Sequence, residues 1–149
     1  SLIWNSSEQA ATTSVATGDL DGDGRPDLLF GYANSSNRVF LNREGVPVSP
    51  ASWLGPEGEQ TRAVALADFD LDGDLDAVFG NDGQPNTVYL NHGNGLSASP
   101  VWTSYDGNHT TCVAVGDVDG DGDPEHPEGY LAEVGERVDG TRTREQVER

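Results

Sequence analysis

The chain has 149 residues, enough for one domain with a hydrophobic core. It carries 26 acidic residues against 8 basic ones, all of them Arg, for a formal charge of −18. That balance argues against nucleic acid as a partner, whose phosphates would meet like charge rather than a basic footprint. No apolar run nears the ~20 residues of a membrane-spanning helix, and a single cysteine, Cys112, leaves no internal disulfide. With neither an initiating Met nor a signal-peptide pattern, the chain reads as a mature form or an excised segment.

In chain order, short runs rich in Val, Phe, Tyr and Leu alternate with Gly, Pro, Asn and Asp clusters, the signature of strands and turns. The first unit predicts strands near residues 2–5, 13–17, 27–31 and 38–42. Between the second and third of these lies the stretch 19–27, DLDGDGRPD. It recurs at 68–76 as DFDLDGDLD and at 117–125 as DVDGDGDPE, with 49 residues between successive starts. Each copy has carboxylates at positions 1, 3, 5 and 9 and Gly at position 6, and the three copies hold 14 of the 26 acidic residues.

Ca²⁺ takes six to eight oxygen ligands at about 2.3–2.6 Å, which a tight loop with alternate side chains turned inward supplies. Gly at position 6 lets the backbone fold back, so that the carbonyl of position 7 (Arg25, Asp74, Asp123) can add a ligand. An Asp-Gly turn with solvated charges explains Asp and Gly in loops generally. It does not explain four carboxylates in nine residues, in one register, three times. Two like charges 4 Å apart cost about 1 kcal/mol in water and about 4 kcal/mol at an effective dielectric of 20, a standing penalty without a cation. Mg²⁺ fits less well, because it keeps its waters and demands octahedral geometry. The loops are not EF-hands: position 12, where an EF-hand needs Glu, holds Phe30 and Phe79. Loop three has Glu128 there, but Pro124 and Pro127 interrupt it and no helix pattern leads in.

The period extends beyond the loops. Trp4, Trp53 and Trp102 recur at 49-residue spacing, Val15-Ala16, Val64-Ala65 and Val113-Ala114 precede the loops, and Phe30-Gly31 and Phe79-Gly80 follow the first two. Val39 to Asn42 is answered by Val88 to Asn91, and an ungapped alignment of 1–49 with 50–98 agrees at 16 positions. Such a period marks a repeat architecture, and four short antiparallel strands per unit is a propeller blade. The reading is all-β: three β-propeller blade-like repeats of about 49 residues forming a partial propeller, with calcium loops in the hairpins. The repeats are 1–49, 50–98 and a partial third at 99–125, followed by an irregular charged tail at 126–149. The Trp residues are expected to pack between blades, and Cys112, aligned with Ser14 and Ala63, to fill a small packed slot. After Glu125 the pattern stops, as a truncation or frame shift of the coding sequence would produce, and a short helix near 143–149 is the one regular element the tail suggests.

The DxDxDGxxD loops, the Val-Ala strands before them and the Phe-Gly after them resemble the FG-GAP/VCBS repeat family, the β-propeller units of integrin α-subunits and of many secreted bacterial proteins. The resemblance covers about residues 1–125. It implies that positions 1, 3, 5 and 9 and the carbonyl of position 7 bind Ca²⁺. Those positions are Asp19, Asp21, Asp23, Arg25 and Asp27, then Asp68, Asp70, Asp72, Asp74 and Asp76, then Asp117, Asp119, Asp121, Asp123 and Glu125. Up to three Ca²⁺ follow. Family propellers commonly have seven blades and serve as adhesion, lectin-like or protein-binding platforms. Three units cannot close such a ring, so either the chain is part of a longer one or several copies assemble.

The expected function is a secreted, calcium-binding adhesion or binding module with structural Ca²⁺ sites, taking a glycan or protein ligand, and not an enzyme. Weak Ca²⁺ sites fill at extracellular, millimolar levels, which favours secretion. Two other readings stand beside it: part of a polysaccharide-acting enzyme, using paired carboxylates with His92, His109 or His126 as a base, and an oligomerising propeller fragment without its own ligand.

Overall fold

A computed structural model describes residues 4–6, 9–105 and 107–116, together with two short strands at 136–138 and 141–143. The described residues contain no helix. The first unit supplies β1 (Ala11–Gly18), β2 (Asp27–Ala33), β3 (Arg38–Phe40), β4 (Asn42–Arg43) and β5 (Val46–Pro47). The second supplies β6 (Trp53–Leu54), β7 (Thr61–Ala67), β8 (Asp76–Asn81) and β9 (Thr87–Tyr89). The third begins with β10 (Trp102–Thr103), and β11 (Glu136–Val138) pairs antiparallel with β12 (Thr141–Thr143) in the C-terminal segment. No helix is long and apolar enough to cross a membrane among the described residues.

Two four-stranded antiparallel sheets dominate, in the orders β1-β2-β3-β6 and β7-β8-β9-β10. They are not closed into a barrel, and together they form part of a propeller. Each sheet draws its outer strand from the following sequence repeat: Val39 of β3 pairs with Trp53, and Val88 of β9 pairs with Trp102. Residues 4 and 5 hold the corresponding place in the first unit and are not strand. The strand expected at 2–5 is therefore absent at its two described positions, since no β3 pairs with them. The expected strands at 13–17 and 27–31 are β1 and β2, and 38–42 divides between β3 and β4.

The core lies between the sheets. Leu29 and Val39 of the first meet Val64, Ala77, Phe79 and Tyr89 of the second, and Leu20 and Leu96 seal the loop end. Trp53 belongs to the first sheet by pairing but stacks on Phe79 at 5.9 Å and meets Tyr89 edge-on at 5.2 Å. It thus packs between sheets, as its periodic placement suggested. The same ring arrangement appears 49 residues earlier, with Trp4 against Phe30 and Phe40. Close approach explains the Phe-Gly pair: a Cβ on Gly31 would lie 2.8 Å from Thr61 and 2.9 Å from Val64, the β7 residues that cross it. Gly80 makes the same room for Thr110 and Val113, so the third unit crosses the second sheet as the second crosses the first. β8 is buried at all six residues, with the apolar stretch Ala77 to Gly80 set between buried Asp76 and Asn81, whereas buried and half-buried positions mix along β2.

Cys112 departs from expectation and is exposed. Residues 111–116 form no strand, so the slot that closes over Ala63 does not close here.

At the end of the sheets away from the acidic loops, a buried polar chain links the two units. The Asn37 side-chain oxygen accepts from the Tyr32 N–H at 2.9 Å. Its amide donates to Glu59 at 2.7 Å and to Thr61 at 2.8 Å, and the Thr61 hydroxyl donates to Asn81 at 2.9 Å. Burial pushes the Glu59 carboxyl up to about 7, against the opposing hydrogen bond from Asn37. The folded state therefore holds a proton on Glu59 that the unfolded chain releases near 4.5. This contribution to stability is complete below the unfolded value and is lost as pH rises through the folded one. Glu59→Gln is expected to match the parent in urea unfolding near pH 4.5 and to exceed it by roughly 2 kcal/mol at pH 8. An equal offset at both pH values would contradict the assignment.

Candidate metal loops

The two described acidic loops join β1 to β2 and β7 to β8, at one end of the stacked sheets. Asp-rich turns of this kind fold through side-chain acceptors meeting backbone donors. Asp19 accepts from the N–H groups of Asp23 (3.0 Å) and Gly24 (2.7 Å), and Asp68 accepts from Gly73 (2.9 Å). Position 5 turns back on position 7: Asp23 accepts from the Arg25 N–H at 3.0 Å, and Asp72 from the Asp74 N–H at 2.9 Å. Position 4 needs a positive φ in both loops, +72° at Gly22 and +61° at Leu71. An L-residue with a side chain there costs roughly 1 kcal/mol, which loop one avoids with Gly.

The position-9 carboxylates have a second role that sequence reasoning missed. Asp27 and Asp76 are fully buried. Asp27 accepts from the Leu20 N–H at 2.8 Å and the Asn42 N–H at 2.7 Å, and Asp76 from Phe69 at 2.6 Å and Asn91 at 2.7 Å. One side chain thus ties the start of the loop to the exit of the third strand. Burial raises the Asp27 carboxyl above its ordinary value and pushes that of Asp76 up to about 6, while the backbone donors oppose the shift. The Asn at the end of each VFLN or VYLN run completes the knot: Asn91 also donates to the Leu20 carbonyl of loop one at 2.8 Å, bridging the loops of neighbouring units.

Ligand atoms of Asp19, Asp21 and Asp27 lie within 4.8 Å of one another, as do those of Asp68, Asp70 and Asp76. The structure therefore gathers positions 1, 3 and 9 of each loop into one pocket of oxygens. Position 5 is not among the three in either trio; Asp72 groups with Asp70 of the second trio and with His92, and Asp23 shares Arg43 with Asp21 of the first. Arg25 pairs with Asp23 at 3.1 Å, and Asp74 lies beside the trio in sequence without joining it. One oxygen each of Asp21 and Asp68 is buried with no hydrogen-bond partner among the described residues. A buried, unpaired carboxylate oxygen costs free energy unless a cation or donor meets it. An all-oxygen donor set with such orphans fits a hard divalent cation. Loop three, with Asp117, Asp119, Asp121, Asp123, Glu125 and the neighbouring Glu128, lies outside the described residues, as do His126 and residues 144–149.

Two basic side chains flank the loops at equivalent places, 49 residues apart, and neither was singled out from the sequence as a loop partner. Arg43 lies 2.6 Å from Asp21 and 2.9 Å from Asp23, and His92 lies 2.9 Å from Asp72 and 3.6 Å from Asp70. The Asp72 hydrogen bond raises the His92 imidazole above its ordinary value, and His92 in turn lowers Asp72. His109 hydrogen-bonds Asp82, which Arg62 also contacts at 2.7 Å, away from either loop. Beside loop one, a cavity of about 300 Å³ opens between the sheets, with Leu20, Val39 and Leu96 on its apolar side and Asp21, Arg43 and Trp53 around it.

Asp76→Ala strands two backbone N–H groups without their acceptor. In chelator, it is expected to cost about 3 kcal/mol in urea unfolding, whereas Asp72→Ala, on the exposed rim, stays under about 1 kcal/mol. Equal losses for the two would remove the distinction between knot and rim.

The chain matches no curated protein. It does match the model of the FG-GAP-like repeat twice, at residues 19–79 and 68–126, each match starting at the first Asp of an acidic loop and running into the next unit. With matches covering most of its length and loops, strands and Phe-Gly crossings in a common 49-residue frame, the chain belongs to the FG-GAP-like repeat family.

Proposed function

We propose that this chain is a secreted, calcium-stabilised binding module in which Ca²⁺ at the acidic loops is structural and the surface it stiffens takes a ligand. FG-GAP repeats point to a β-propeller-like binding or adhesion module. The observation that carries the calcium reading is the convergence of positions 1, 3 and 9 in both described loops, with the orphaned oxygens of Asp21 and Asp68. Asp19, Asp21 and Asp27 would hold one ion and Asp68, Asp70 and Asp76 the other, with loop three as a third site of the same pattern. Bound there, Ca²⁺ supplies charge neutralisation and a rigid hairpin turn.

For the ligand, the cavity beside loop one supports a glycan over a flat protein surface. Its size is at the lower end of small-molecule sites. An apolar floor with Trp53, Asp21 and Arg43 around it offers a sugar ring one stacking face and both kinds of hydrogen-bonding group.

By mass action, a ligand at 100 times its dissociation constant adds about 2.7 kcal/mol per site. Two filled sites are expected to raise the melting temperature by about 10 °C or more over chelator, with Mg²⁺ giving much less. Asp19→Ala combined with Asp68→Ala should remove the part of the difference due to these two loops and leave at most what loop three contributes. A melting curve indifferent to Ca²⁺ would sink the calcium reading, and a glycan array read with Arg43→Ala, on the exposed rim of the cavity, as the control tests the ligand separately.

A further inference from the structure

The cavity beside loop one and the loop itself meet at a single carboxylate, Asp21. Its Oδ1 is buried with no hydrogen-bond partner among the described residues, and the residue belongs to the oxygen trio with Asp19 and Asp27. Its Oδ2 accepts from Arg43 Nη1 at 2.6 Å, and Asp23 Oδ2 accepts from the same nitrogen at 2.9 Å. Both contacts use Nη1. The Nε–Nη2 edge of the guanidinium, a fork that matches a carboxylate, therefore has no acceptor among the described residues. Asp21 and Arg43 are the charged residues among those lining the cavity. Trp53 lines it too, held by stacking on Phe79 at 5.9 Å and by donating its indole N–H to the Ser97 carbonyl at 3.1 Å.

We infer, resting on the glycan and calcium reading proposed above, that the cavity takes an acidic sugar whose carboxylate is received by Arg43, and that an ion on loop one strengthens this binding through Asp21. A neutral sugar leaves the open fork to water. A carboxylate pairs with it through two parallel charge-assisted hydrogen bonds, each roughly twice as strong as a neutral one. Without an ion, loop one opposes such a ligand: its four carboxylates, Asp19, Asp21, Asp23 and Asp27, outnumber the guanidiniums of Arg25 and Arg43 by two charges. One divalent cation cancels that excess and draws on Asp21, leaving Arg43 as the positive charge at the cavity wall. Coupling between two sites is reciprocal, so the acidic sugar strengthens ion binding by the same factor. Loop two has His92 in the place of Arg43 and lacks the fork.

The test titrates the full chain by calorimetry with glucuronate and galacturonate, their neutral parents glucose and galactose, and acetate, each in Ca²⁺ and in chelator at one ionic strength. In Ca²⁺, a hexuronate is expected to bind about tenfold tighter than its neutral parent, and in chelator that preference falls about fivefold or more. Arg43→Gln should bind both sugars alike while binding Ca²⁺ at least as tightly as the parent chain, because the competing cation at Asp21 is gone. Arg43→Lys, which keeps the charge but not the fork, should recover only part of the preference. Hexuronate and hexose binding with equal affinity leaves the glycan reading standing and overturns this one. Acetate binding as tightly as the hexuronates overturns the assignment of a sugar, and an equal preference in Ca²⁺ and in chelator overturns the coupling. No sugar bound under either condition overturns both readings. A melting temperature that rises with Ca²⁺ in the absence of any sugar reports on the ion alone, so the calcium reading stands or falls separately.

Discussion

Asp27 and Asp76 sit out of solvent where a loop, the strand that follows it and the exit of the third strand meet. Each accepts one N–H from the residue after the loop's first Asp and one from the Asn two residues past the third strand. A carboxylate suits this place because it accepts from two directions at once, where a neutral amide would turn a donor toward one of the two N–H groups. Burying it costs desolvation, which the rise of both carboxyls registers. What the protein obtains is a loop path that the backbone cannot leave, and on that path positions 1 and 3 converge on the same side chain. The metal chemistry of the loops therefore depends on an interaction that is complete within the chain.

The same economy of position governs the stacking of the sheets. Gly31 removes a side chain where Thr61 and Val64 pass, and the space lets Phe79 and Tyr89 reach Trp53. Aromatic contact of this kind adds to the area buried, and β8, at the centre of this packing, is buried along its whole length. Exposure follows the stacking: Val15 of β1 is 52% exposed, while Val64, its counterpart in β7, is 9% exposed beneath the first sheet.

Much of this was legible in the residues. Period, loop register and the strand runs at 13–17 and 27–31 follow from spacing and alternation, which are local properties. The fold class followed too, because four short strands per 49 residues leave few alternatives. The rest required contacts between distant residues. Asp27 looks like any other loop Asp until Asn42 is seen to donate to it. Arg43 carries no signal in the sequence and His92 entered only as a candidate base, and only the hairpin return places them on the loops. Leu71 gives no sign of its left-handed backbone apart from standing where loop one has Gly22. Cys112 was misjudged because its neighbours in the alignment, Ser14 and Ala63, owe their surroundings to strand pairing that residues 111–116 do not make.

The outer strand of each sheet comes from the next repeat, with Trp53 closing the first sheet and Trp102 the second. The unit that repeats in the sequence is therefore out of phase with the unit that folds. A segment cut at the 49-residue period would lose its outer strand and keep one that belongs to its neighbour. Stability in such an array is not a sum over independent parts, because every interface is also a covalent crossing. Neighbouring units then melt together rather than one at a time, and an ion that stiffens one hairpin raises the cost of opening the next. Out-of-phase strands thus turn a row of small sheets, each too slight to stand alone, into a single cooperative body.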